Sequence, residues 1–384
     1  MTKTKRYSQR ELEEVLPTPD EIEVDDLASY IKLFSDGEFE DFYFRGEPTN
    51  YKDTVSSALR GTPVHNAKVK FPNKYPFFNI KKEFKREVWH KLSPDERMYF
   101  SAFSQHHGIP TNLIDITTSP LVSLYFACQE FKVPENNKEG LDATRGFVYL
   151  FKDSFVDITN ILAKYEDDNV LELFALNRRN IFIDMYNIFL EFKDKYPEQF
   201  YQFLENIAKE YHDYFGNLSG EQNIPKDIPP QQGCNKTITT CYVDEIIKYN
   251  KKLQKIHDQI DDVHKGVFLY TSILQMFSKN ILEGTSQHVI WFKTIMPIFK
   301  YAPILSFERG RNQQGLFIYQ NYLNYIDEKI KTSFLCRQKI WPEVVIVVNN
   351  KEKILNELDF IGINEKFIYG DYDHIASYIR NKFQ

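Results

Sequence analysis

Residues 104–120 read SQHHGIPTNLIDITTSP and run directly into the apolar segment LVSLYFA, residues 121–127. The first part concentrates polar and ionisable side chains among loop-forming residues, whereas the second part must be buried. We interpret 104–120 as a reactive loop that the apolar segment 121–127 anchors to the core, because functional sites are usually positioned by a rigid scaffold in this way. Ser119 followed by Pro120 predicts the start of a helix that runs through about Phe131.

The segments around this stretch predict a core of strands and helices. The predicted strands are 39–44, 146–151, Gly315–Tyr319 and Val344–Val348. The predicted helices are 24–34, 79–92, 93–104, 351–358 and a closing helix from Tyr372. Residues 155–283 are mostly helical in pattern and rich in Leu, Phe and Tyr. We therefore expect a helical section there that packs on the strands and is partly an insertion.

The composition favours a globular protein of the cytoplasm. The 384 residues are 42% hydrophobic and 15% aromatic, which is ample for a packed core, and the net charge of -6 argues against a nucleic-acid coat over the whole chain. No apolar run reaches about 18 residues, so no membrane span is expected. No apolar segment follows the basic start of the chain, so a secretory signal is not expected. The four cysteines lack CxxC spacing, which favours reduced thiols over a disulfide scaffold or a structural zinc.

Arg45 is the first candidate for ligand binding. It stands at the end of an aromatic strand, where a guanidinium can hold a phosphate or carboxylate through two parallel hydrogen bonds. Gly46 would let a ligand approach the backbone closely. The alternative is an ion pair with a neighbouring acid such as Glu47, and the triplet alone leaves both interpretations open.

His106, His107 and Asp115 form the second group of candidates. The histidines can be a general base, metal ligands or hydrogen-bonded loop residues. A metal needs at least three convergent ligands, and no HxH or HExxH spacing is present, so no metal is expected. The apolar neighbours of Asp115 predict a buried carboxylate, which requires partners or caps the following helix. The candidate partners are Arg45, Thr117 and Ser119.

Two further segments have weaker signals. Gln313 and Gln314 precede a strand and can orient a ribose hydroxyl, although a structural role is the alternative. Residues 68–91 combine basic and aromatic side chains and could track a nucleic-acid backbone, although a solvated helix face is the alternative. The chain has no Walker loop, GxGxxG or GxSxG motif, so the commonest nucleotide and esterase fingerprints are absent from the sequence.

Several motifs together resemble the FRG domain family, which is named for the triplet Phe44-Arg45-Gly46. Residues 105–117 are similar to the family's QHxGxPTxLLDxT signature, with Asn, Ile and Ile at three positions where Arg, Leu and Trp are common. The SPLxxLYFA segment that follows is also similar. The late residues Arg309, Gln313, Gly315 and Phe317 resemble an R-x-x-x-Q-x-G-x-F element, and 369–376 resembles the closing segment. The resemblance covers about 22–155 and 285–384.

A more distant likeness connects the chain with ADP-ribosyltransferases of the Arg-Ser-Glu type. Those enzymes have an aromatic-Arg-Gly strand end, then a Ser-Thr-Ser strand, then a Gln/Glu motif. Arg45, Thr117-Thr118-Ser119 and Gln313-Gln314 occur here in the same order. The catalytic Glu of those enzymes is a Gln here, which is a departure from the pattern.

The likeness implies a set of site residues that act on NAD. It gives catalytic roles to Arg45, His106, Asp115 and Gln313, with Arg45 on the pyrophosphate and Gln313 on the nicotinamide ribose. It places Thr117 or Ser119 against the nicotinamide and Tyr125 or a loop aromatic on its ring. The implied NAD-binding residues are Arg45, Gly46, Thr111, Thr117, Ser119, Tyr125 and Gln314.

The resemblances lead to one prediction of fold and function. We expect an α+β fold with a mostly antiparallel, split sheet flanked by helices, as in ADP-ribosyltransferases. The expected divisions are a flexible 1–22, a first FRG part at 23–154, a helical insertion at 155–283 and a second FRG part at 284–384. We expect transfer of ADP-ribose from NAD to an unknown macromolecule, or NAD cleavage, in toxin or phage-defence biology. The alternatives are a non-catalytic nucleotide- or phospholigand-binding sensor and a nucleic-acid-acting effector that uses 68–91.

Overall fold

The structure is a computed structural model. The residues that it describes are 19–51, 54–60, 76–136, 140–165, 169–219, 244, 247–248, 251–261, 264–283, 295–304, 308–327 and 332–383. Within these ranges, no helix is long and apolar enough to cross a membrane.

A sheet of eight strands forms the centre of the fold, and a separate hairpin accompanies it. The sheet strands are β1 (Asp20–Val24), β2 (Phe42–Glu47), β3 (Leu113–Thr117), β4 (Gly146–Lys152), β5 (Val156–Asp157), β6 (Phe299–Tyr301), β7 (Gly315–Tyr319) and β10 (Val344–Val348). The hairpin consists of β8 (Tyr322–Asp327) and β9 (Thr332–Arg337). The order across the sheet is β1-β10-β4-β2-β3-β7-β6-β5. The outermost pairs, β1 with β10 and β5 with β6, are parallel, and the inner pairs are antiparallel.

The helices fall into three sets along the chain. Those before the helical section are α1 (Leu27–Lys32), α2 (Pro76–Val88), α3 (Pro94–Met98), α4 (Phe100–His106) and α5 (Pro120–Ala127). The helical section contains α6 (Thr159–Tyr165), α7 (Val170–Ala175), α8 (Ile181–Lys195), α9 (Pro197–Ser219), α10 (Lys251–His257) and α11 (Lys265–Leu282). The later helices are α12 (Glu308–Asn312), α13 (Lys351–Phe360), α14 (Glu365–Tyr369) and α15 (Tyr372–Lys382).

One face of the sheet carries two separate helical layers. Side chains alternate between the faces of a strand, so Phe44, Leu150 and Ile346 share one face and pack with α5 and α13. Leu113 and Tyr319 lie on the same face further along the sheet, where they join the core of the helical section. The border between the two layers falls at the junction of β2 and β3.

The mostly antiparallel sheet with flanking helices confirms the coarse fold prediction. The predicted strands 146–151, Gly315–Tyr319 and Val344–Val348 are present as β4, β7 and β10. The helix starts at Ser93 and Ser119 are also confirmed, because each serine hydroxyl accepts a hydrogen bond from a backbone amide of the first turn.

Three local predictions are wrong. Residues 113–117 form the central strand β3 and not part of a loop. The helix predicted over 24–34 is only Leu27–Lys32, because Asp20–Val24 form an edge strand. The strand predicted over 39–44 is shifted to Phe42–Glu47, since Arg45 and Gly46 continue the ladder with β4. Residues 1–18 lie outside the described part of the chain.

Candidate functional site

A cleft opens where β2 and β3 separate. These strands share a single register pair, Phe44 with Thr117, and β2 continues along β4 without further pairing to β3. The cleft has a volume of about 290 Å³ and is walled by α4, α5 and α12. Its lining includes all four side chains predicted to be catalytic, Arg45, His106, Asp115 and Gln313.

Arg45 lies in the cleft, but its neighbours already use part of its guanidinium. Its Nε donates to Glu47 Oε1 at 2.8 Å, and its Nη1 donates to the backbone oxygen of Asp115 at 2.7 Å. The Glu47 side chain is only 5% exposed, so the ion pair is largely removed from solvent. The ion pair with Glu47, which the sequence left open, is therefore present.

Gly46 is required by the packing of α5. A Cβ at this position would lie 1.8 Å from the backbone oxygen of Ser123 and 2.7 Å from the backbone nitrogen of Ala127. The space above Gly46 is therefore filled by the helix. Gly46 also lines the cleft, so its expected contact with a ligand stays a prediction.

Asp115 presents its carboxylate to the cleft. The sequence predicted a buried group, but the residue is exposed, because the two helical layers leave the centre of the sheet open here. Gln105 Nε2 donates to Asp115 Oδ2 at 3.0 Å, and Gln105 Oε1 accepts a hydrogen bond from the buried Thr111 hydroxyl. Thr111 therefore acts on the cleft through Gln105 and does not line it.

His106 is the last residue of α4 and is neutral near neutral pH. Burial is the main cause that lowers its pKa to about 4, and electrostatic repulsion from Arg309 and from the protonated form of His107 contributes in the same direction. Asp371 acts in the opposite direction with a smaller effect. A neutral imidazole that lines the same cleft as an exposed carboxylate can accept a proton from a bound nucleophile.

The end of β3 is tied to the turn before β7. The Thr117 hydroxyl donates to the backbone oxygen of Gln313 at 2.6 Å and accepts from the backbone nitrogen of Ser119 at 2.9 Å. Gln314 has a left-handed backbone conformation, and its side-chain oxygen accepts from Thr118. Thr117 and Gln313 line the cleft, whereas Ser119 caps α5 and, like Gln314, lies outside the lining.

The aromatic ring in the cleft belongs to Phe126 and not to Tyr125. Tyr125 is 6% exposed and packs in the core under α5, so it is not placed to stack on a ligand ring. Phe126, one residue further along the helix, lines the cleft. The segment is apolar on all sides, so its sequence does not indicate which side chain faces the opening.

Sequence reasoning also missed Arg309 and Gln105 as site residues. Arg309 lies on α12, lines the cleft and places its guanidinium 4.8 Å from the ring centre of Tyr369. Both residues belong to motifs that carried the family resemblance, and that was the signal that could have identified them.

The basic segment is only partly described, because residues 61–75 lie outside the described ranges. In α2, Lys81 donates to the Ser101 hydroxyl at 2.7 Å, and Lys85 Nζ lies 4.4 Å from the ring centre of Trp89. Among the residues that the structure describes, no group of three or more His, Cys, Asp or Glu side chains is placed to hold a metal ion.

Comparison with known proteins identifies the segment that contains most of this cleft. Residues 40–136 match the FRG domain family, and this range includes Arg45, His106 and Asp115. No match was found among curated proteins or among solved structures. The chain therefore contains a domain of the FRG family at residues 40–136.

Proposed function

We propose that the cleft binds NAD and breaks the bond between nicotinamide and ribose, passing ADP-ribose to a macromolecular acceptor or to water. The observation that supports this proposal is convergence. Arg45, His106, Asp115 and Gln313 are distant in sequence, yet all four line one cleft. Ordinary packing does not require two ionisable groups and an arginine to face one opening in the middle of a sheet.

The proposed reaction uses Asp115 as an electrostatic stabiliser. When the ribose C1′–nitrogen bond breaks, its electron pair leaves with nicotinamide and positive charge develops on the sugar. A carboxylate held in place before the reaction stabilises that charge, and Gln105 holds the Asp115 carboxylate by a hydrogen bond. This carboxylate would supply the negative charge that the missing catalytic Glu provides in ADP-ribosyltransferases.

His106 takes the role of proton acceptor in this proposal. The acceptor hydroxyl, amine or water forms the new bond to C1′ and must lose a proton. A neutral His106 can take that proton as a weak base, since the low pKa that keeps it unprotonated before the reaction also lowers its basicity. Gln313 lines the same cleft, where its side chain would orient a ribose hydroxyl.

The size of the cleft fits the reacting half of NAD. Its volume of about 290 Å³ is just below the lower limit of about 300 Å³ that is usual for small-molecule sites. It would therefore enclose the nicotinamide ribose and the neighbouring phosphate, with the adenosine end projecting from the opening.

The proposal is tested by incubating the purified full chain with NAD and measuring free nicotinamide by chromatography. Asp115→Asn keeps the shape of the side chain and removes its charge, so nicotinamide release should fall by about 100-fold or more while ADP-ribose still binds. Asp36→Asn, at an exposed position in the turn after α1, is the matched control and should leave release unchanged. Release at the wild-type rate from Asp115→Asn would contradict the proposed role.

A non-catalytic sensor is the second candidate function. The Gln313 carboxamide stands where a catalytic Glu is expected, and its Nε2 donates to the backbone oxygen of Ile368 at 3.3 Å, as a structural group would. A sensor predicts that the wild-type chain binds NAD without releasing nicotinamide. The same incubation, combined with calorimetric titration of NAD, separates the two candidates.

A further inference from the structure

We infer that Arg309, and not Arg45, is the cation that binds the phosphate groups of the ligand. This inference rests on the proposed function, because it takes a dinucleotide as the occupant of the cleft. It assigns the phosphate site to α12 and gives Arg45 the role of a positioning residue.

The guanidinium of Arg45 already makes hydrogen bonds within the protein. Its ion pair with Glu47 at 2.8 Å and its hydrogen bond to the backbone of Asp115 at 2.7 Å use two directions of the guanidinium. The Glu47 carboxylate cancels its charge, and that carboxylate is almost entirely buried. Turning Arg45 toward a phosphate would break the ion pair with the buried Glu47 carboxylate, which is unfavourable.

Arg309 has no such acidic partner among the residues that the structure describes. None of the ion pairs between described residues includes it. Its guanidinium lies 4.8 Å from the ring centre of Tyr369, a contact that orients the group without cancelling its charge. Its charge also acts within the cleft, since it helps to lower the pKa of His106. An arginine with an aromatic support and an open planar fork is suited to a phosphate.

The C-terminal segment holds α12 at the edge of the cleft. Asn312 Nδ2 donates to the backbone oxygen of Phe367 at 2.8 Å, next to the bond from Gln313 to Ile368. Tyr369 in turn stacks on His374, with their ring centres 4.1 Å apart. Arg309 is therefore fixed between the cleft and a supported ring, which lowers the entropy lost when an anion binds.

Calorimetric titration of the full chain with ADP-ribose and with inorganic pyrophosphate tests this inference. Arg309→Gln should weaken the binding of both ligands by about 10- to 100-fold, because a charge-assisted pair is lost. Arg309→Lys should retain part of the affinity, since the charge remains without the fork. Arg311→Gln is the matched control, because Arg311 lies exposed on the same helix outside the cleft lining. The affinities of this variant for ADP-ribose and pyrophosphate should stay within twofold of those of the wild type.

The outcomes separate this inference from the proposed function. If Arg309→Gln is folded and binds both ligands as the wild type does, the inference is wrong and the NAD proposal stands. If the wild type binds pyrophosphate through Arg309 but neither ADP-ribose nor NAD, the phosphate site stands and the NAD proposal fails. If the wild type binds neither ligand, both are overturned.

Discussion

Replacing Gly46 with alanine should destabilise the protein severely. The added Cβ would lie 1.8 Å from the backbone oxygen of Ser123, whereas real Cβ contacts are essentially never shorter than 3.0 Å. Strand β2 and helix α5 must therefore separate by more than 1 Å, and the obstacle is helix backbone, which cannot rotate away as a side chain could. Overpacking in cores costs about 1–3 kcal/mol and sometimes more, so we expect the free energy of unfolding to fall by about 3 kcal/mol or more.

Chemical denaturation followed by circular dichroism measures this loss. Gly266→Ala is the control, because a Cβ there meets only Leu204 Cδ2 at an ordinary 3.5 Å within α11. That substitution should be neutral or stabilise the protein by about 0.5 kcal/mol, since alanine favours helix over glycine. If Gly46→Ala unfolds like the wild type but no longer binds ADP-ribose, the glycine serves ligand approach and the packing explanation is refuted.

Four further results are expected. Glu47→Gln should lower the free energy of unfolding by about 3 kcal/mol, measured by denaturation, because it leaves the charge of Arg45 uncompensated. The pKa of His106 lies below its unfolded value, so the unfolded chain binds more protons between about pH 6.5 and pH 4. Stability should therefore fall as pH decreases through this window, by about 1–2 kcal/mol more in wild type than in a His106→Asn variant after allowance for solvent screening. Removing the positive charge with Arg309→Gln should raise the pKa of His106, which a histidine NMR titration would detect as a midpoint above that of wild type. Tyr369→Leu should weaken ADP-ribose binding by about two- to fivefold, because the cation–π contact with Arg309 is lost, whereas Tyr369→Phe should retain the wild-type affinity. If calorimetric titration gave the Tyr369→Leu variant the same affinity as the wild type, the ring would not support Arg309 in ligand binding.

The parts of the fold that follow ordinary patterning could be predicted from the sequence. All five residues of β10 are buried, and its VVIVV sequence shows this directly. The edge strand β1 was missed because it reads DEIEV, with acidic residues on the exposed side, and its partner β10 is more than 300 residues away in the chain. The secondary-structure propensities of neighbouring residues carry no information about the pairing of strands so far apart in the chain.

The central strand β3 was missed for a reason connected with the site. Ile114 and Ile116 are buried on one face, while Asp115 faces the cleft on the other, so the segment lacks the continuous apolar pattern of a buried strand. The polar residues that a site requires interrupt the apolar pattern by which a buried strand is recognised in a sequence. The residues of the cleft could be named from the resemblance, but the choice of Phe126 over Tyr125 depends on helix rotation, which the sequence does not fix.

The FRG triplet explains why the sheet opens where it does. Phe44 makes the last register pair with β3, and beyond it the backbone oxygen of Asp115 needs a donor, which the Arg45 side chain supplies in place of a strand amide. Gly46 then lets α5 contact β2 directly, so the helix forms one wall of the gap without filling it. Glu47 neutralises the arginine that bridges the strands. The triplet and the acid that follows it therefore maintain an open junction between two strands.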